Sequence, residues 1–135
     1  MRAAIALMML PLLAAPAPAL AEDAGFMLCE ALPHITCVWS GDSFFLRTQL
    51  IRLADIDAPQ RYTQDCPAAS ALSWKSAARL RDLLNAGPFE LGGDTQATDG
   101  AQMRLVTRDG KSLGAELVAD GLAKEKAAQA PDWCG

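Results

Sequence analysis

The hydrophobic period changes at Pro67, and that change limits what the chain can fold into. Before Pro67, apolar residues alternate. In "QLIRLADI", Leu50, Arg52 and Ala54 fall on one face and Ile51, Leu53 and Asp55 on the other, the pattern of a half-buried strand. "HITCVWS" and "SFFLR" are rich in β-branched and aromatic residues and read as two more strands. A turn near Arg47-Thr48 joins the second to the third. After Pro67, Leu72, Ser76, Leu80, Leu83 and Leu84 recur at spacings of three and four, which predicts a helix. Pro67 suits its first turn, and Asn85-Ala86-Gly87-Pro88 stops it. "PFEL" and "MRLVTR" read as strands, and Asp109-Gly110 as a tight turn. Ser112 is expected to cap a short helix through Leu113, Leu117 and Val118, ended by Gly121. Strands followed by segregated helices predict an α+β fold. A five-stranded barrel with two to three helices is consistent with this order.

The first 21 residues differ from the rest. Arg2 precedes an apolar run, and Ala19-Leu20-Ala21 has the form of a small-residue cleavage site, so residues 1–21 read as a secretory signal peptide. Pro11, Pro16 and Pro18 interrupt the run, which is too short to span a bilayer. The remainder, 22–135, is expected to form a single domain, exported and free of the membrane after cleavage. Without Arg2, Lys+Arg falls from 12 to 11 against 16 Asp+Glu, a net charge of −5. Such a surface repels phosphates at long range, so nucleic acid is expected to bind weakly at best. A protein partner stays open, and a monomer is expected.

All four cysteines, Cys29, Cys37, Cys66 and Cys134, follow the leader, and export makes them candidates for disulfides. Four cysteines allow three pairings. The favoured one joins Cys29 to Cys37 across a short loop and Cys66 to Cys134, which ties the C-terminal tail to the middle of the chain. Zinc is the rival, but no C-x-x-C spacing is present and His34 is the only histidine.

Three segments carry residues suited to chemistry: Gly41-Asp42-Ser43, Arg52 with Asp57 five residues later, and the turn Thr98-Asp99-Gly100-Ala101. Two aspartates at strand ends suit a hard cation such as calcium. An arginine beside them suits a phosphate. Metal, arginine and a carboxylate base together would hydrolyse a phosphodiester. Each residue also has a plainer use, Asp42 and Asp57 as turn formers and Arg52 as a surface ion-pair partner.

The segments "GDSFFL", "IRLADIDAP" and "RDGKSLGAELVADGLA" resemble the staphylococcal-nuclease-like, or thermonuclease, family. The likeness runs from about Val38 to Ala123, the expected core of the domain. It implies a five-stranded OB-type barrel with packed helices and a calcium-dependent phosphodiesterase ancestry. Asp42 and Asp57 match the family's two calcium-binding aspartates, and Ala58 the position that offers a backbone carbonyl. Arg52 matches its first phosphate-binding arginine. The general-base glutamate falls at Gln60, and the second arginine, from a D-R-Y-G-R turn, falls at Ala101. An amide cannot take a proton near neutral pH. A general base typically contributes about 10²–10⁴ in rate, and an electrostatic clamp about 10²–10³. The expectation is therefore an exported nuclease-like domain with an impaired hydrolytic centre, holding calcium or nucleic acid weakly. Two alternatives stand beside it. One is an active nuclease using Asp55 or Asp99 as base and Arg104 as clamp. The other is a protein-interaction module without ligand chemistry.

Overall fold

The computed structural model describes residues 11, 25–97 and 99–135, the side chains of residues 94 and 95 excepted. Apart from Pro11, the expected leader lies outside the described residues, as does Thr98 of the 97–101 turn.

The chain opens with β1 (Met27–Leu28), β2 (Cys37–Ser40), β3 (Ser43–Leu46), β4 (Gln49–Leu53) and β5 (Ile56–Asp57). Helix α1 (Pro67–Asn85) follows, then β6 (Glu90–Gln96), β7 (Gln102–Arg108), β8 (Lys111–Ser112), α2 (Leu113–Ala119) and β9 (Lys124–Glu125). The turn at Arg47-Thr48 is tight, and both residues take positive φ. Asp109 and Gly110 do the same between β7 and β8, the conformation that a primed hairpin turn requires.

The order in the main sheet is β1-β2-β3-β4-β7-β6, with β8 on the far part of β7. β2, β3 and β4 form an antiparallel meander, whereas β4 and β7 run parallel, with Arg52 beside Met103 and Leu53 beside Arg104. The fold is mixed α+β with two helices among the described residues. The sheet is not closed into a barrel: neither β1 nor β2 pairs with β6 to join its ends among the described residues.

Burial follows the sequence periods. On β4, Ile51 and Leu53 are buried and Arg52 is partly exposed. On α1, Ala69, Ser73, Ser76, Ala77, Leu80, Leu83 and Leu84 form the inward face. These meet Val38, Phe44, Ile56, Val106, Leu113 and Leu117 in one core. Phe26, Phe44 and Phe89 pack edge-to-face or tilted at its end, an arrangement that contributes beyond the area it buries.

Three elements depart from expectation. The "HITCVWS" strand is confined to Cys37–Ser40, because the Cys29–Cys37 disulfide holds residues 30–36 as a loop. "PFEL" extends to Gln96, since β7 supplies pairing partners beyond the apolar stretch. The tail is not held by Cys134 alone. β9 pairs antiparallel with β5, and Lys126 N–H donates to Asp55 O at 2.9 Å. Both favoured disulfides, Cys29–Cys37 and Cys66–Cys134, are present. No helix among the described residues is long and apolar enough to cross a membrane.

Candidate functional site

The site begins at the β2–β3 turn. Its first glycine is required by packing. A Cβ at Gly41 would overlap the Ser76 hydroxyl and lie 2.7 Å from its Cβ, so α1 can approach the turn only where there is no side chain. That approach fixes Asp42. Its Oδ1 accepts from Ser40 Oγ at 2.6 Å and from Gln60 Nε2 at 3.1 Å. Its Oδ2 accepts from Ala58 N–H at 3.1 Å. Ser40 and Ser43, both buried, share a hydroxyl contact of 2.6 Å behind it, and Gln60 Nε2 also reaches Ser40 Oγ at 3.2 Å. Burial raises the Asp42 pKa, the three hydrogen bonds oppose this, and the nearby charge of Asp57 adds to the rise.

Asp57 closes β5, and its Oδ1 accepts from Lys126 Nζ at 2.9 Å. Both aspartates therefore face donors. The residues that the resemblance assigns to calcium do not fit the ion as they stand. A cation ligand must offer free lone pairs, whereas Gln60 directs an amide N–H at Asp42 and Lys126 directs an ammonium at Asp57.

Arg52 projects from the other side of Gln60. Its Nη2 meets Asp99 Oδ2 at 2.5 Å, and Asp99 Oδ1 accepts from the Ala101 N–H at 3.2 Å. Ala101 itself is fully buried. The turn is closed by Ala97 N–H to Ala101 O and Gly100 N–H to Ala97 O, with Gly100 at φ 83°. The Ala101 amide, with the Arg52 charge behind it, lowers the Asp99 pKa. Arg52, Gln60 and Ser43 line a cleft of about 170 Å³ together with His34, Trp39, Phe45 and Leu50.

The proposed substitutes lie elsewhere. Arg104 pairs across from Leu53 and so stands on the opposite face of the sheet from Arg52; its Nη2 donates to Leu91 O at 2.9 Å. Asp55 Oδ2 accepts from Ser112 Oγ at the start of α2, and a Cβ at Gly114 would come within 2.7 Å of Asp55 Oδ1. Asp99 is held by Arg52.

Sequence reasoning missed Ser40, Lys126 and Arg61, and it singled out the Gly41-Asp42-Ser43 segment without giving Ser43 a role. The two serines flank Gly41-Asp42 and were legible as hydroxyl partners of a turn carboxylate. Lys126 carries no local signal, being 69 residues from Asp57. Arg61 has no exposed surface. Its guanidinium donates to the carbonyls of Trp39, Cys29 and Val38 and sits among the rings of Trp39, Tyr62 and Trp74, 4.7 Å from the last.

No protein-family model matches the chain, and no curated protein sequence matches it either.

Proposed function

We propose that the chain is a staphylococcal-nuclease-like domain whose hydrolytic centre is disarmed, so that it no longer cleaves phosphodiesters. One observation carries this: the side chain at the base position is an amide that donates to Asp42, where a base would have to accept a proton. The Arg52–Asp99 pair supports it, since it commits the Nη2 of Arg52 and sets a carboxylate beside the place where a phosphate would have to sit. The strand order β2-β3-β4-β7-β6, with its parallel β4–β7 pair, supports an OB-like arrangement of the kind this ancestry implies, in a sheet that stays open. The two disulfides support export to an oxidising compartment, the periplasm in a Gram-negative cell.

The test is an assay of the purified protein on single-stranded DNA and RNA with calcium. No cleavage is expected, and restoring a carboxylate by Gln60→Glu alone is expected to leave it inactive while Arg52 remains paired. Calcium-dependent cleavage by the wild type, abolished in Asp57→Ala, would overturn the proposal in favour of a working nuclease.

A second reading, a protein-interaction module, is favoured by one feature. A row of rings runs Phe45, His34, Trp39, Tyr62, Trp74, each within 6.3 Å of the next. Its end is open, with Tyr62 at 66% and Trp74 at 40% exposure. Aromatic side chains presented in this way are the commonest anchors of protein interfaces.

A further inference from the structure

We infer that Lys126, carried on the disulfide-tethered C-terminal strand, is the resident counter-cation of the acidic pair Asp42 and Asp57, and that it takes the place a divalent ion would have. This rests on the ancestry proposed above only for the identity of the pair. The geometry is independent of it.

The charge of Asp57 adds to the raised proton affinity of Asp42, and neighbouring carboxylates of this kind call for compensating charge or donors. Here both are supplied from within the chain. Asp42 is the partner of three donors, the Ser40 hydroxyl, the Gln60 amide and the Ala58 N–H. Asp57 is the partner of one full positive charge, the Lys126 ammonium at 2.9 Å. With the ammonium in place the Asp57 side chain is only 18% exposed.

Lys126 does not reach this position by chance of a flexible tail. Ile56 and Asp57 of β5 pair with Glu125 and Lys124 of β9, and the Lys126 N–H donates to Asp55 O. Beyond it, Trp133 packs on the Lys124 ammonium at 4.8 Å, and Cys134 is bonded to Cys66 just ahead of α1. The backbone is thus fixed on both sides of Lys126, which lowers the entropy lost in holding the side chain on Asp57. A divalent ion at Asp57 would face this ammonium at close range and would be repelled by it. It would also require the Gln60 amide to turn its N–H away from Asp42. The amide in place of a carboxylate and the lysine on the tail are two parts of one substitution, in which internal donors replace an external cation.

The test uses the whole oxidised protein and calcium alone as probe, read by calorimetry and by thermal unfolding. The wild type is expected to give no saturable heat and no calcium-dependent change in Tm. Lys126→Gln is expected to melt lower than the wild type without calcium and to gain a saturable calcium response with a Kd of about 10⁻³ M, the loose end of extracellular calcium sites. That response is expected to vanish in Lys126→Gln combined with Asp57→Asn. Saturable calcium binding by the wild type that is lost in Asp57→Asn overturns the inference, and this arm needs no lysine variant to fold. So does a Lys126→Gln protein that folds and stays silent to calcium. Nuclease activity enters neither readout. Cleavage without calcium would defeat the functional proposal and leave this one standing.

Discussion

Asp99 is the residue whose contacts around Arg52 can be tested most directly. Its carboxylate occupies both donors at the end of the cleft, the Ala101 N–H and the Arg52 guanidinium. Those donors favour the charged form, so its folded pKa lies below the ordinary aspartate value. The sign of the consequence follows. A depressed pKa means the contact is fully formed above the ordinary value and opens only as pH falls through the lowered one. We expect the Asp99 carboxyl carbon to titrate by NMR below the ordinary aspartate value, with the Ala101 amide shift following the same curve. In Arg52→Gln the midpoint should rise yet stay depressed, because the Ala101 N–H is the larger cause. A midpoint unchanged by Arg52→Gln would show that the ion pair does not form in solution. The sequence offered Arg52 as a surface ion-pair partner but did not name the carboxylate. The resemblance directed attention to Ala101 in this turn, whereas the residue there that meets Arg52 is Asp99, 47 positions away in the chain. Arg61 was hidden for a different reason. An arginine beside a tyrosine reads as surface, and only the fold shows three carbonyls and three rings closing around it.

At the scale of elements, the periods were legible where a single face is buried. The β4 alternation and the α1 face both stand as read, since each side chain's fate there is set by its own backbone geometry. What the periods could not supply was pairing that depends on a distant chain segment. β9 has no apolar residue, and only its partner β5 makes it a strand. The α2 cap was legible in its local half. Ser112 Oγ accepts from Ala115 N–H at 3.0 Å, as its position before Leu113 suggested. Its other half was not: the same hydroxyl donates to Asp55, 57 residues earlier. Ser112 therefore joins the β4–β5 turn to the helix. Ser112→Ala removes the cap and strips Asp55 Oδ2 of this donor. Loss of a cap alone costs about 1 kcal/mol, and a carboxylate deprived of a donor adds about 1–3 kcal/mol. Unfolding in urea should show a loss of about 2–4 kcal/mol by these terms. A loss below about 0.5 kcal/mol, the size of an ordinary surface change, would mean that Asp55 does not use Ser112.

For the whole molecule, the two disulfides divide the labour by loop length. Cys29–Cys37 spans a separation of 8 residues and shapes the loop that carries His34 to Trp39 and Phe45. Cys66–Cys134 spans 68 and fastens the tail across the start of α1. In the chain-entropy model the first stabilises by about 2.5 kcal/mol and the second by about 4 kcal/mol. Cys66→Ser with Cys134→Ser should therefore cost more on urea unfolding than Cys29→Ser with Cys37→Ser, although the longer bridge joins an exposed tail residue. The two changes should also differ in where they act. β9 has two residues, both exposed, and such short pairing has little stability of its own. Without its tether the Lys126 amide, bonded to Asp55 O, should exchange with solvent much faster. Amides of β3 and β4 around the buried Phe44 and Ile51 should exchange only as fast as global unfolding dictates. Hydrogen exchange on the two double variants separates local release from global loss. If the Lys126 amide keeps wild-type protection when Cys66 and Cys134 are both serine, the strand pairing alone holds the tail, and the bridge acts on the unfolded chain only.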